Sequence, residues 1–364
     1  MDSQASKGVP AMDGQALAQM LKHIHPDAIP PIDESQGPTI PGRQDLRISL
    51  TRSCNLRCQH CHNEGQIAPW KGGKDVEPVS VESIVNLIRF ASQYGVKSVK
   101  FTGGDPGVYR AFAELMAAIP SLRAEYPGIK KWGISTNGVP FLNPRKYEVL
   151  ANSALDNICI GIDSVDPGEF SKPSSPVGVL GKKVMDGFVS RLSADWADRD
   201  IKINVVFTGN RDRVLNVVRA ARSLDVNVSV IEVNRVMDVA YDVRRTFLDI
   251  ASQLATDYGL EPRLYEPLNE IYLYDKAGGS PIKFYQDHCT DLDCGNCRKV
   301  HLRISPSGQG WGAVPCFLQT QADVIPLVVD GKLSRKRFED VIRLNGTGPE
   351  WYIGTEYDNR LLTM

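Results

Sequence analysis

The chain has no long apolar run: nowhere in its 364 residues is there an unbroken stretch of the roughly 20 residues that a membrane-crossing helix needs. It also lacks a charge of one dominant sign. Lysine and arginine number 42 against 43 for aspartate and glutamate, so no global field draws the chain to nucleic acid or to an anionic membrane. The opening Met1-Asp2-Ser3-Gln4-Ala5-Ser6-Lys7 has no basic region followed by an apolar core, and a cytoplasmic location is expected. There is no internal repeat of fixed period and no low-complexity tract. The eight cysteines do not have the dispersed spacing of a disulfide framework.

What is there suits a large core: 42% of the residues are hydrophobic, and by length one barrel domain with an addition, or two domains, is expected. Seven cysteines fall into two groups, three between positions 54 and 61 and four between 289 and 316, while Cys159 stands alone inside an apolar segment. Grouping of this kind points to metal ligation in a reducing compartment, and Cys159 reads as a small buried hydrophobe.

The first group lies in Arg47-Ile-Ser-Leu-Thr-Arg-Ser-Cys54-Asn-Leu-Arg-Cys58-Gln-His-Cys61. Leu46 to Leu50 alternates and is rich in apolar and β-branched residues, as a strand should be, which places the thiols in a loop at its C-terminal end. Three thiolates fill three corners of a four-iron four-sulfur cluster and leave the fourth iron to an external chelating molecule. A zinc site is the alternative, although zinc favours paired Cys-x2-Cys and four ligands.

Residues 1–43 read as an irregular extension with a short helical pattern at Gln15 to His23 and prolines at 26, 30, 31, 38 and 41. From Asp45 strand-like and helix-like segments alternate. Strands are expected at Leu46–Leu50, Val96–Thr102, Ile129–Thr136, Asn157–Asp163, Ile201–Thr208 and Asn227–Val233. Helical faces are marked by Ile84, Leu87, Ile88 and Ala91, with Gly95 as a cap, by Phe112 to Ile119, by Lys146 to Asn152, and by Val214, Val217, Val218 and Ala221. Six βα units with right-handed crossovers curl into an incomplete barrel over residues 44–240. The expected fold is therefore α/β, a partial (β/α)6 TIM-type barrel followed by a cysteine-rich region at 241–364.

Two strand ends carry further polar groups. Phe101-Thr-Gly103-Gly104-Asp105-Pro106 closes the second strand with two glycines that let backbone approach a ligand, or form an ordinary strand-to-helix turn. Ser135-Thr136-Asn137-Gly138 closes the third, where side chains can bond a ribose or carboxylate or simply cap a left-handed turn. Asp163 and Glu232 end the fourth and sixth strands and can accept from ribose hydroxyls.

Cys-x3-Cys-x2-Cys after a first strand, followed by Gly103-Gly104-Asp105-Pro106 after the second, resembles the radical S-adenosylmethionine (SAM) enzymes. The resemblance implies a catalytic 4Fe–4S cluster on Cys54, Cys58 and Cys61. SAM would be held through the Gly-Gly-Asp-Pro turn, Ser135, Thr136, Asn137, Asp163 and Glu232. It implies an oxidoreductase or lyase that forms a 5'-deoxyadenosyl radical and takes electrons from a donor such as flavodoxin or ferredoxin. The family's usual glutamate is here Asp105, a shorter acid expected to hold its contact more loosely.

Cys289-x4-Cys294-x2-Cys297-x18-Cys316, with Arg303-Ile-Ser-Pro-Ser-Gly308 and Pro315-Cys316-Phe317-Leu318, is similar to the C-terminal part of the GTP 3',8-cyclase branch of that superfamily. This likeness implies a second 4Fe–4S cluster on Cys294, Cys297 and Cys316, with Cys289 able to be a fourth ligand. A zinc site competes at this spacing. The likeness also implies substrate-binding roles for Arg47, Lys202, His301 and Arg303, with Asn204 on the same strand face as Lys202.

Other positions depart from that branch. Tyr109 stands where an arginine is expected, Gly161 where a serine is, and Asn234 where a methionine is; two extra residues precede Arg303, and the chain ends without a Gly-Gly tail. The expected substrate is thus a small, polar, anionic molecule, nucleotide-like or sugar-like, in cofactor or specialised-metabolite biosynthesis. GTP cyclisation for molybdenum-cofactor biosynthesis and peptide modification are the alternatives within the superfamily, and a zinc-bound interaction protein is the alternative outside it.

Overall fold

The structure is a computed structural model that describes residues 45–58, 60–61, 79–168, 177–233, 244–265, 270–275, 281–285, 302–307, 310–314 and 325–347. Cys289, Cys294, Cys297, His301 and Cys316 lie outside the described residues, as do Asn234, the proline-rich extension and the helical pattern at Gln15 to His23.

Six βα strands follow in sequence: β1 (Asp45–Ser49), β2 (Ser98–Thr102), β3 (Lys131–Thr136), β4 (Asn157–Gly161), β5 (Asp200–Phe207) and β6 (Asn227–Glu232). They pair in that order, all parallel. Each buries one alternate set against the surrounding helices. In β1 Leu46 and Ile48 are fully buried, and in β5 Ile203, Val205 and Phe207 are. The opposite set, Arg47, Lys100, Ser135, Cys159, Lys202 and Asn204, faces the barrel interior, because neighbours in register project from the same face.

The helices obey the same logic. In α1 (Val81–Ser92) Ile84, Leu87, Ile88 and Ala91 recur at helical spacing and are all buried. Ser80 caps its start by accepting from the Ser83 N–H at 3.1 Å, and Gly95, at φ +78°, turns the chain away after its end. Each such side chain withdrawn from water stabilises the fold by about 1.5–3 kcal/mol. α2 (Phe112–Glu125) and α3 (Pro144–Ala151) cover the next strands, and Asn143 caps α3 from the Arg145 and Lys146 N–H groups. α4 (Val177–Lys183) passes through a π-helical turn, Val184–Val189, into α5 (Ser190–Asp195). In α6 (Arg211–Arg222) the valines at 214, 217 and 218 and Ala221 are buried as the pattern requires.

Beyond β6 the sheet continues. After α7 (Arg244–Asp257) come β7 (Glu261–Tyr265), β8 (Glu270–Tyr274), β9 (Ile282–Tyr285), β10 (Leu302–Ser307), β11 (Gly310–Val314) and β12 (Ile325–Pro326). The small ribbon β13 (Val328–Val329) with β14 (Lys332–Leu333) and helix α8 (Arg335–Thr347) follow. β9 adds in parallel to β6, and β10 adds in parallel to the other edge, beside β1. The full order is β12-β11-β10-β1-β2-β3-β4-β5-β6-β9-β8-β7, an open sheet with antiparallel outer strands. The C-terminal part thus supplies strands to the same inner face rather than forming only a separate layer. No helix among the described residues is long and apolar enough to cross a membrane.

Candidate active site at the barrel mouth

The cysteine loop leaves β1 and lies against the ends of β2 and β3. The two glycines after β2 make this possible. A Cβ on Gly104 would fall 2.0 Å from Ser53 O, and one on Gly103, whose φ is +138°, would fall 2.4 Å from Thr51 O. In place of those side chains run two backbone bonds, Gly104 N–H to Thr51 O at 2.7 Å and Asp105 N–H to Ser53 O at 2.9 Å. The glycines, expected to let backbone approach a ligand, here bring it against the loop that carries the thiols.

Asp105 then ties β2 to β3. Its carboxylate accepts from the Gly107 N–H at 2.7 Å, from Thr136 Oγ1 at 2.9 and 3.0 Å, and from the Asn137 N–H at 2.7 Å. Burial raises this carboxyl to about 6, against the opposing pull of those hydrogen bonds and of Lys146. From the same turn the Asn137 side chain reaches Cys54 Sγ at 3.6 Å and pairs with Asn55 through bonds of 3.0 and 3.3 Å.

None of the three thiols is in a disulfide. Although Cys54 as a residue is exposed, the protein packed around its sulfur pushes the thiol up to about 11, partly offset by the Leu56 N–H, with Asp105 and Cys61 adding to the rise. Burial raises Cys58 further, helped by the charges of Asp163, Cys61 and Cys54. Cys54 and Cys58, raised by burial with Cys61 adding to both, resist ionisation on their own, and three such sulfurs are stabilised as thiolates by a cationic centre, the donor set an iron–sulfur cluster uses. The residues present fit such a group.

His60, not singled out from the sequence, lies at this mouth. Its Nε2 is 3.4 Å from Asp163 Oδ2, and the donor atoms of Cys58, His60 and Asp163 lie within 4.8 Å of one another. That trio would suit a single metal ion through one cysteine alone. The pattern that would reveal His60 is its place immediately before Cys61, with Asp163 just past a strand that opens onto the same end.

The other expected residues divide between two faces. Thr136 and Asn137 join Asp105 and the cysteine loop, but Ser135 is in register with Cys159 inside the barrel. Asp163 stands over that interior, held by the Val206 N–H at 3.2 Å. Glu232 is buried and in register with Phe207, which packs on Phe247 of α7, so it lies on the helix side of the sheet. Arg47 is in register with both Arg303 and Lys100, and Lys202 with Cys159, so these four cations share the inner face. Cys159 is not the inert hydrophobe its apolar segment suggests. Lys100 Nζ donates to its sulfur at 2.8 Å; burial raises the thiol, but Lys100, Lys202 and Arg47 outweigh it and bring it below its ordinary value. Tyr109 does not stand in for a cation there: its buried hydroxyl donates to Val79 O at 2.6 Å.

Comparison with known proteins follows the same lines. The family model described as "Radical SAM superfamily" matches residues 48–237, more than half of the chain. The "Probable GTP 3',8-cyclase" of Methanocella arvoryzae is 29% identical over 75% of this chain and 81% of its own length. The "GTP 3',8-cyclase" of Syntrophomonas wolfei is 29% identical over 71% and 77%. Among solved structures, Streptococcus suis SuiB bound to precursor peptide SuiA superposes with a TM-score of 0.55 at 16% identity, covering 87% of this chain and 66% of that one. SuiB bound to S-adenosylmethionine gives the same TM-score over 88% and 68%. At such identity these structures speak for the fold alone. The family match over the barrel, with three thiols gathered at its mouth, places this chain in the radical SAM superfamily of enzymes.

Proposed function

We propose that the enzyme acts on a small anionic substrate, nucleotide-like or sugar-like, held inside the barrel beneath the cysteine loop. The observation that carries this reading is the inner face itself, where Arg47, Arg303 and Lys202 converge with Lys100 below a mouth that holds Cys54, Cys58 and Cys61. In this reading the three cysteines hold a 4Fe–4S cluster. Gly103, Gly104, Asp105 and Pro106, with Ser135, Thr136, Asn137 and Asp163, form the SAM-binding surroundings, and Glu232, on the helix side of the sheet, stands outside them. Arg47, Lys202, His301 and Arg303 bind the substrate. Cys294, Cys297 and Cys316 hold a second cluster, with Cys289 as a fourth ligand.

Held there, the cluster and SAM would supply hydrogen-atom abstraction from the substrate by a 5'-deoxyadenosyl radical, with one electron from a flavodoxin- or ferredoxin-like donor. The protein's part is orientation and exclusion of water. Asp105 fixes the two turns that flank the loop, and Asn137 fixes Cys54 by direct contact. The interior cations anchor the anionic end of the substrate, so that its carbon skeleton is presented to the mouth.

A second reading, GTP 3',8-cyclisation, is favoured by the two relatives that carry that name. Anaerobic reconstitution followed by dithionite and SAM tests the first: 5'-deoxyadenosine should form, and a colourless protein with stoichiometric zinc would remove radical chemistry. Adding GTP separates the two readings, since a cyclised nucleotide establishes the second and unchanged GTP excludes it.

A further inference from the structure

The inner face extends past the residues used so far. Gly161, Asn204, Ser229, Lys283 and Tyr272 are in register across β4, β5, β6, β9 and β8, so they form one row on one face. Cys159 and Lys202 make the row below it, and Tyr285 lies in the row above, beside Ile231.

Two observations single out the middle row. Ser229 is fully buried, yet its Oγ has no hydrogen-bond partner among the described residues, and Asn204 Oδ1 likewise has none. Buried hydroxyl and amide oxygens are ordinarily satisfied, so an orphaned pair side by side calls for an outside partner. Gly161, at the end of the same row, is exposed, and a Cβ there would meet only Thr136 O at 3.8 Å, so open space lies before it.

The charge at this place is specific. Lys283 Nζ sits 4.2 Å from the Tyr285 ring centroid and 4.6 Å from that of Tyr272, which fixes the ammonium over the row; Lys202 Nζ lies 6.0 Å from the Tyr285 ring. A lysine ammonium binds phosphate oxygens as a point charge, and two of them with a hydroxyl donor between suit a tetrahedral group with several acceptor oxygens. Ser229 Oγ can donate to a phosphate oxygen, and Asn204 Oδ1 can only accept, as from a sugar hydroxyl.

We propose that Lys202, Lys283 and Ser229 form a phosphate subsite, with Asn204 accepting a hydroxyl beside it, that takes a phosphorylated, hydroxyl-bearing substrate of the sugar-phosphate class. This rests on the reading of the barrel interior as the substrate chamber. Asp163, Gly161 and Cys159 step down β4 at two-residue intervals of roughly 6.6 Å, which sets a phosphate between the lysine rows roughly 7–13 Å below the mouth. A sugar carbon attached to it then lies between the subsite and the cysteine loop.

The test is equilibrium dialysis of the anaerobically reconstituted full chain against ribose 5-phosphate, ribose and gluconate. Ribose 5-phosphate should bind at least tenfold more tightly than either of the others. Lys283→Gln should weaken it at least tenfold, Ser229→Ala severalfold, and Lys283→Arg should retain most of the binding of the parent chain. Equal binding of ribose and ribose 5-phosphate, binding of gluconate as tight as that of the phosphate, or indifference to Lys283→Gln overturns the subsite. Cleavage of SAM by the same parent preparation with dithionite alone is scored separately. Cleavage without phosphate binding removes the subsite only, and phosphate binding without cleavage removes the proposed radical function only.

Discussion

Asp105 Oδ2 accepts the backbone N–H of Asn137 at 2.7 Å, and through that bond the turn after β2 and the turn after β3 become one support for the cysteine loop. The carboxylate is wholly buried, so what it gains from three sets of donors is set against a large desolvation cost.

The first prediction concerns pH. With the native carboxyl at about 6 and its ordinary value at 3.8, the unfolded chain gives up this proton first as pH rises. Its stabilising contribution is therefore complete below pH 3.8, falls between pH 3.8 and 6, and stays lost above. At about 1.4 kcal/mol per unit the change is on the order of 3 kcal/mol. Asp105→Asn should flatten this part of the urea-midpoint profile. It should also lower stability near neutrality, because its amide nitrogen would oppose the Asn137 N–H or the Gly107 N–H. A profile identical in slope for both chains would show that Asp105 does not titrate in this window.

A second prediction follows from the glycines. Gly104→Ala places a methyl 2.0 Å from Ser53 O, so either the loop or the turn must move. Destabilisation of more than about 2 kcal/mol is expected, with iron content falling as well. Gly128→Ala, where a Cβ meets nothing within 4 Å, is the control and should stay within about 0.5 kcal/mol of the parent. Thermal unfolding and iron analysis of the two variants check this, and equal behaviour would mean the close approach is not needed.

Periodicity made the first six strands and four of the helices between them legible, because each buries one face against its sequence neighbours, but the helical stretch Val177–Asp195 between β4 and β5, broken by its π-helical turn, was not read. Val214, Val217, Val218 and Ala221 are buried as their spacing requires. The places of β9 and β10 were not legible. β10 lies against β1, more than 250 residues earlier in the chain, and short strands of four to six residues carry no sign of their partner. For the same reason Ser229 and Lys283, 54 positions apart, read as unrelated until register joins them. At the site the thiols and the two strand-end turns were legible as motifs. His60 was not, since its meaning depends on Asp163, nor was the contact of Lys100 with Cys159.

Cluster number can be read by subtraction. Replacing Cys54, Cys58 and Cys61 together with alanine should abolish 5'-deoxyadenosine formation. If a second cluster is held elsewhere, the variant keeps about half of the parent's iron, because a four-iron cluster held by its own cysteines does not depend on the first. Iron and sulfide analysis of the variant decides the matter, and loss of all iron would leave a single cluster.

The last prediction bears on GTP. Tyr109 stands where the cyclase branch is expected to have an arginine, so Tyr109→Arg is the obvious attempt to restore cyclase-like recognition. The structure argues that it should fail. The Tyr109 ring is buried, only 3% exposed, and its hydroxyl is spent on Val79 O, so the side chain forms part of the packing around α1 and α2 rather than of the inner face. A guanidinium in that place would be charged and poorly paired, and the lost hydroxyl would leave Val79 O without its donor. The expected result is a loss of about 2–4 kcal/mol in unfolding free energy with no gain in GTP binding by equilibrium dialysis. Arg110, the exposed neighbour, should tolerate alanine within about 0.5 kcal/mol. Tight GTP binding by Tyr109→Arg with stability intact would mean that position 109 can turn into the chamber, and that this buried tyrosine alone separates the chain from its cyclase relatives.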